Sequence, residues 1–423
     1  CVARKLLAED GGGKLHTFSA IFPDVPSMDE RRFIDAVLAT GGVVPHSVRA
    51  DLVSPLADVE RVLDCQDEPF YAPNLYMHWA LYGRARGAGV RVLFDGLDGD
   101  TTVSHGVARL DELAIAGRWL AFWQNAWRLG WNFERPVWRL LWNHGLRPRI
   151  PDVARRVWRR LRHRGRPWWQ RDWILSDELS RRLGVPERIE RLVGGRRKLP
   201  LTVHHDHLWQ LESGLIPFVL ELCDRLGSAF RMETRFPFFD RRLVEFCLGL
   251  PSQQRLDQGW TRVVQRRAMA PVLPPAVCWR PGKTNLFPHF RKSFLTLERS
   301  VMERVLVREP DILADYVDGP ALQRTLARYA AHGGEGDAMS VWRAVTLALW
   351  LRRFAATPPS LKEETFTMEA HEKAPLSTEP PDKLTPAKAR YTTPHLTVHG
   401  PVEELTRNVG TKGSDAITGS VVV

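Results

Sequence analysis

The chain has 423 residues, room for two or three domains, and 44% of them are hydrophobic, ample for a sizeable core. Its five cysteines, Cys1, Cys65, Cys223, Cys247 and Cys278, are scattered without a C-x-x-C pair, which argues against a disulfide framework or a zinc site and fits a reduced, cytoplasmic compartment. The net charge of +11 raises nucleic-acid or anionic-membrane partners, yet no stretch approaches about 18 uninterrupted apolar residues and no basic-then-apolar signal pattern opens the chain.

In chain order, CVARKLLAED begins without an initiator Met, as if inside a helix, and the natural start is expected upstream. The glycines at 11 to 13 end that helix, and Leu15 to Phe22, LHTFSAIF, reads as a buried strand. Asp29-Glu30 opens a helix to about Ala39, with acids in the first turn where the helix dipole favours them. Ser54-Pro55 predicts a helix over 55–63, and Asn74 caps another to about Arg86 before Gly87 and Gly89 release the chain. Val90 to Phe94 is an apolar run without polar alternation, read as a buried parallel strand, and it stops at Asp95-Gly96. Strand, helix, helix, strand is the doubly wound α/β pattern, in which ligands bind beyond the carboxyl ends of strands. Asp95, Asp98 and Asp100 therefore stand where a nucleotide or its metal would be held; the alternative is a solvated Asp/Gly turn.

From Leu110 the periodicity is almost wholly helical, with breaks near Gly130, Arg135-Pro136 and Pro148 to Pro151, and no strand of comparable strength is expected. Ten of the sixteen Trp lie between Arg118 and Arg197; Trp119, Trp123, Trp127 and Trp131 recur every four residues, a stripe read as facing the core or a partner rather than lipid. The run Arg155 to Arg166 is a nucleic-acid candidate without a binding-module signature. Within His204-His205-Asp206-His207 only His204 and His207 could share a helical face, so a metal role is not favoured.

Three ordered motifs then carry a specific resemblance. Glu221, Asp224, Arg225, Glu233, Arg235, Pro237, Phe238 and Asp240, followed by Leu273, Pro274, Val277, Trp279, Arg280 and Lys283, resemble the synthetase domain of the asparagine synthetase family, with DGLDGD upstream in the place of its SGEGSDE-like loop. The resemblance covers about Cys1 to Arg353. It implies an ATP-pyrophosphatase (adenine nucleotide α-hydrolase-like) core with a parallel sheet, truncated at its N-terminus and followed by a largely helical region. It also implies ATP and Mg²⁺ as cofactors, Ala20 against the adenine, Asp95 and Gly96 lining the nucleotide pocket, Asp100 near the Mg²⁺-pyrophosphate, and Lys283 stabilising charge on the α-phosphate and the later oxyanion. Two departures matter. The family's SGGLDSS-like loop, expected just before Cys1, is absent, so this chain alone is expected to bind ATP poorly; and Leu97 stands where asparagine synthetases carry a glutamate base.

The resulting organisation is a ligase domain over 1–355, a Pro/Thr/Glu/Lys linker over 356–390 expected to be disordered, and a tail over 391–423. In the tail, Tyr391, Pro394, Leu396, Gly400, Leu405 and Thr406 resemble the leader signature of lasso-peptide precursors, whose ring-closing enzymes are asparagine-synthetase-like. That resemblance implies lasso macrocyclisation with a precursor peptide as substrate and leader-binding and protease proteins as partners. Counting from Asn408, the only carboxylate side chain after Thr406 is Asp415, the eighth residue of the implied core peptide. The alternative is glutamine-hydrolysing asparagine synthesis from aspartate, and a third reading is a basic, Trp-rich scaffold for RNA or membrane.

Overall fold

A computed structural model describes residues 1–97, 99–151, 154, 173–194, 202–282, 284 and 287–355. Asp98, Lys283, the run Arg155 to Arg166 and the linker and tail lie outside the described residues.

Helix α1 (Val2–Glu9) leads through Gly11, at φ 65°, into β1 (Leu15–Ile21), α2 (Arg31–Leu38) and β2 (Val43–Arg49). β1 and β2 pair in parallel, Leu15 opposite Val43 through Ile21 opposite Arg49, with α2 as the crossover that parallel pairing requires. β2 was not expected from the sequence. Pro45 and His46 interrupt it, but a strand bonded on one side accommodates a proline. Ser54 does not start a helix: its Oγ accepts the Leu56 amide at 3.1 Å in a local turn, and α3 (Val59–Gln66) begins four residues after Pro55.

Helix α4 (Leu75–Gly87) follows Asn74, and Gly89, at φ 77°, turns the chain into β3 (Val92–Phe94). β3 pairs in parallel with β4 (Glu233–Arg235), a strand that the helical periodicity after Leu110 concealed. Nor is β3 buried throughout. Leu93 is buried, whereas Val92 and Phe94 are 41% and 42% exposed. The class is α/β, with small parallel sheets in a chain that is mostly helical; the described strands form separate pairs, not one continuous sheet.

The helices that concern the site are α5 (Gly99–Val103), α6 (Arg109–Ile115), α7 (Trp119–Asn132), α8 (Val137–Leu140), α9 (Val203–Leu211), α10 (Leu215–Ala229), α11 (Val263–Met269), α12 (Gly319–His332) and α13 (Glu335–Ala355). One core joins Phe18 of β1, Leu63 of α3, Tyr82 of α4 and Leu93 of β3 to Tyr329 of α12 and Trp342 of α13. Trp342 is wholly buried, edge-on to Phe70 at 5.6 Å and Phe290 at 5.4 Å, so truncating it would cost about 3–5 kcal/mol.

A second core under α6 to α8 gathers Leu110, Leu113, Phe122, Leu129 and Leu140. The sequence expectation was a Trp stripe facing the core or a partner, and the core-facing alternative fails. α7 turns Phe122, Ala126 and Leu129 inward and leaves Trp119, Trp123, Trp127 and Trp131 outside. Both faces are apolar, and close packing selects the one carrying small residues: a Cβ at Gly130 would lie 2.7 Å from Val137 Cγ2. α7 ends at Asn132, near Gly130, where a break was expected.

Candidate nucleotide site

Asp95 ends β3, and its amide extends the ladder by donating to the Arg235 carbonyl at 2.8 Å. Its carboxylate is almost completely buried, accepting the Tyr82 hydroxyl at 3.1 Å on Oδ2 and the Leu97 amide at 2.9 Å on Oδ1. The second bond is an Asx turn, the reason an aspartate suits this place. His78 Nδ1 lies 3.8 Å from the same carboxylate, and burial holds its imidazole below the usual histidine range. Asp95 thus shapes the loop from beneath, while Gly96 is half-buried above it. Ala20, half-buried opposite Val48, packs between two apolar clusters at the carboxyl end of β1. Just past that strand, an open pocket of about 380 Å³ is lined by Pro23, Pro26, Asp29, Arg31, Arg32 and Asp35.

Leu97 is buried, 3% exposed, and packs with Val219 and Cys223 of α10 and with Phe236. Beyond it α5 presents Asp100, which forms an ion pair with Arg262 and lies 3.9 Å from His105 Nε2. Arg262 Nη2 also donates to that Nε2 at 2.9 Å. Arg262 caps α11 in the left-handed region, φ 54° and ψ 41°, a conformation that costs a non-glycine residue about 1 kcal/mol and that persists only where the surroundings impose it. Burial lowers the pKa of its guanidinium, and the Asp100 carboxylate opposes that shift.

One turn along α11, Arg266 is buried against Trp260 and spends its whole guanidinium on carbonyls: Nε on Thr261 at 2.8 Å, Nη1 on Cys278 at 2.7 Å and Nη2 on Arg280 at 3.0 Å. Burial, followed by the nearby Arg262 charge, pulls its pKa down to about 10, which leaves it charged at neutral pH. Arg280 in turn reaches Glu30 at 2.5 Å and Thr284 at 2.7 Å and lies over Phe33. α11 therefore ties the acidic loop at Asp100 to the segment flanking Lys283, and Arg280 fastens that segment to the start of α2, close in sequence to the end of β1. Lys283 itself and Asp98 lie outside the described residues. Arg262 and Arg266 had not been singled out in the sequence, where RVVQRR reads as an ordinary basic stretch.

The back of the loop is equally constrained. Arg255, with no exposed surface, donates to His207 Nδ1 at 2.7 Å and to the Cys247 and Leu248 carbonyls. Burial, then the Arg255 charge, push the His207 pKa down to about 4. A Cβ on Gly106, at φ 71°, would fall 2.5 Å from Arg255 Cβ, so only glycine closes the loop here. His207 thus serves packing, and no cluster of three or more His, Cys, Asp or Glu fit to hold a metal occurs among the described residues.

The family model that matches this chain, described as asparagine synthase, spans residues 1–352. The chain belongs to the asparagine synthase family. Among curated proteins it is similar to asparagine synthetase (glutamine-hydrolyzing) 2 of Bacillus subtilis (strain 168), 38% identical over 58 residues. That stretch covers 14% of this chain and 8% of the relative.

Proposed function

We propose that this protein activates a carboxylate with ATP and closes a lasso-peptide ring with it. A carboxylate oxygen of the substrate attacks the α-phosphorus and pyrophosphate leaves; an amine then attacks the acyl carbon, loses its proton, and AMP leaves. In this reading Ala20 flanks the adenine, Asp95 and Gly96 form the floor and lip of the nucleotide pocket, Asp100 meets the magnesium carried by ATP, and Lys283 follows the charge from the α-phosphate to the acyl oxyanion. Arg262 neutralises Asp100 in an ion pair, and exchange of that partner would free a guanidinium for phosphate.

The observation that carries the choice of acceptor is Leu97. It stands where asparagine synthetases carry a glutamate base, and it is sealed in an apolar cluster. A peptide α-amine with a pKa near 8 is partly neutral at working pH and needs no strong base there. The segment Tyr391 to Thr406 would act as the leader, Asn408 would supply the amine and Asp415 the carboxylate, with leader-binding and protease proteins as partners in the cytoplasm. Linkage in cis would raise the local concentration of substrate. The second reading, asparagine synthesis from aspartate with ammonia from glutamine, is favoured by the similarity to the glutamine-hydrolyzing asparagine synthetase of Bacillus subtilis.

The test is mass spectrometry of the peptide Asn408 to Val423 after incubation with enzyme, protease partner, ATP and Mg²⁺. Loss of one water that disappears in Asp415→Asn and in Lys283→Ala is expected. An unmodified peptide alongside aspartate-dependent release of AMP would establish the asparagine reading instead.

A further inference from the structure

We infer that the outer face of α7 and of the chain just after it is a peripheral docking surface for a bilayer leaflet bearing anionic headgroups. This is independent of the substrate assigned above. α7 buries one stripe in the second core and presents Trp119, Trp123, Trp127 and Trp131 on the other side, 42%, 48%, 56% and 81% exposed. Twelve residues of helix make that ridge about 18 Å long, and Trp138 and Trp142, 65% and 48% exposed, extend it. Soluble surfaces rarely leave so much contiguous apolar area uncovered.

The charge in and around α7 is predominantly of one sign. Between residues 113 and 151 the chain carries six arginines, Arg118, Arg128, Arg135, Arg139, Arg147 and Arg149, against a single acid, Glu134. Two of them lie over ridge tryptophans: Arg149 sits 4.6 Å from the Trp119 ring and Arg139 5.2 Å from that of Trp138. The neighbouring acids that argue against lipid on sequence alone are turned inward. Asp111 is buried on His144 Nδ1 at 2.7 Å, and Glu112 accepts the Val203 amide at 2.8 Å. Apart from the exposed Glu134, what remains outside is indole and guanidinium, the first suited to the boundary between acyl chains and headgroups, the second to lipid phosphate. Among the described residues no helix is long and apolar enough to cross a membrane, so the contact proposed is interfacial. Protein interfaces also favour Trp and Arg, but their anchors fill pockets; here the rings line one helical ridge, and the unbalanced arginines match a surface of continuous negative charge.

The experiment is co-sedimentation of the full chain with vesicles of phosphatidylcholine alone or mixed with phosphatidylglycerol, paired with tryptophan quenching by brominated lipids. Binding at least about tenfold tighter to the anionic vesicles, weakening with salt, is expected. The variant Trp123→Ser/Trp127→Ser/Trp131→Ser should lose about tenfold or more of that binding while keeping the parent's thermal midpoint, since these side chains support no core. Wild-type quenching by the bromine supplies the same answer should the variant misfold. Absence of vesicle binding, equal binding to neutral vesicles, undiminished binding by the folded variant, or binding without quenching each overturns the proposal. So does a precursor peptide or an RNA that alone protects these tryptophans.

Discussion

Replacing Arg266 by alanine tests whether α11 braces the segment that leads to Lys283. The guanidinium makes three bonds of 2.7–3.0 Å to the carbonyls of Thr261, Cys278 and Arg280 and packs on Trp260. Removing one partner of a buried, charge-assisted network strands its acceptors and typically costs about 3–5 kcal/mol, and with the acceptors partly rehydrated the loss should be about 3–4 kcal/mol. In a domain of this size that corresponds to about 2 °C per kcal/mol, a fall in the melting midpoint of about 6–8 °C. Arg266→Lys keeps the charge and one bond and should recover about a third of it. The assay is calorimetry, together with substrate-dependent exchange of pyrophosphate into ATP at 25 °C in the full-length enzyme, where Arg266→Ala should lower turnover at least about tenfold while leaving ATP binding within about twofold. A midpoint within about 2 °C of the parent and unchanged exchange would show that Arg280 and its neighbours are held by something else.

Leu97→Glu should not create ammonia-dependent asparagine synthesis: it places a carboxylate among Val219, Cys223 and Phe236 and should destabilise by at least about 3 kcal/mol, read as denaturation midpoint and asparagine yield. A gain in asparagine without loss of stability would overturn the lasso reading. Because the native His207 pKa is about 4 and an unfolded histidine titrates near 6.5, its contribution to stability is fully present above about pH 6.5 and lost as pH falls toward 4. That contribution is at most on the order of 3 kcal/mol, and melting midpoints measured from pH 7.5 to 5 should flatten in His207→Gln. Gly106→Ala combines a strained left-handed backbone with a collision against Arg255, and should cost about 2–4 kcal/mol in urea unfolding. A loss under about 1 kcal/mol would mean that Arg255 yields easily.

Local pattern was enough for β1 and α4, because an apolar run between glycines and a long helix behind Asn74 are decided by near neighbours. It also placed the end of β3 at Asp95-Gly96, since a strand that stops at Asp-Gly leaves a turn in a predictable place, whereas Gly99 and Asp100 belong to α5. β2 and β4 were hidden for a physical reason: VVPHSVR contains a proline, ETR is polar and three residues long, and each is a strand only because β1 or β3 lies beside it. The i, i+4 spacing showed that the four tryptophans share a face, but α7 carries large apolar residues on a second face as well, and only the close approach permitted by Ala126 and Gly130 decided which side was buried. Asp95 and Leu97 could be named from sequence as loop residues; that one is sunk under Tyr82 and the other packed on α10 depends on partners distant in the chain. Arg262 and Arg266 are the clearest case. Nothing in their spacing distinguishes them from a solvated pair, because the acid and the carbonyls they satisfy, at Asp100, Cys278 and Arg280, are brought to them only when α11 is packed between the acidic loop and the segment after it.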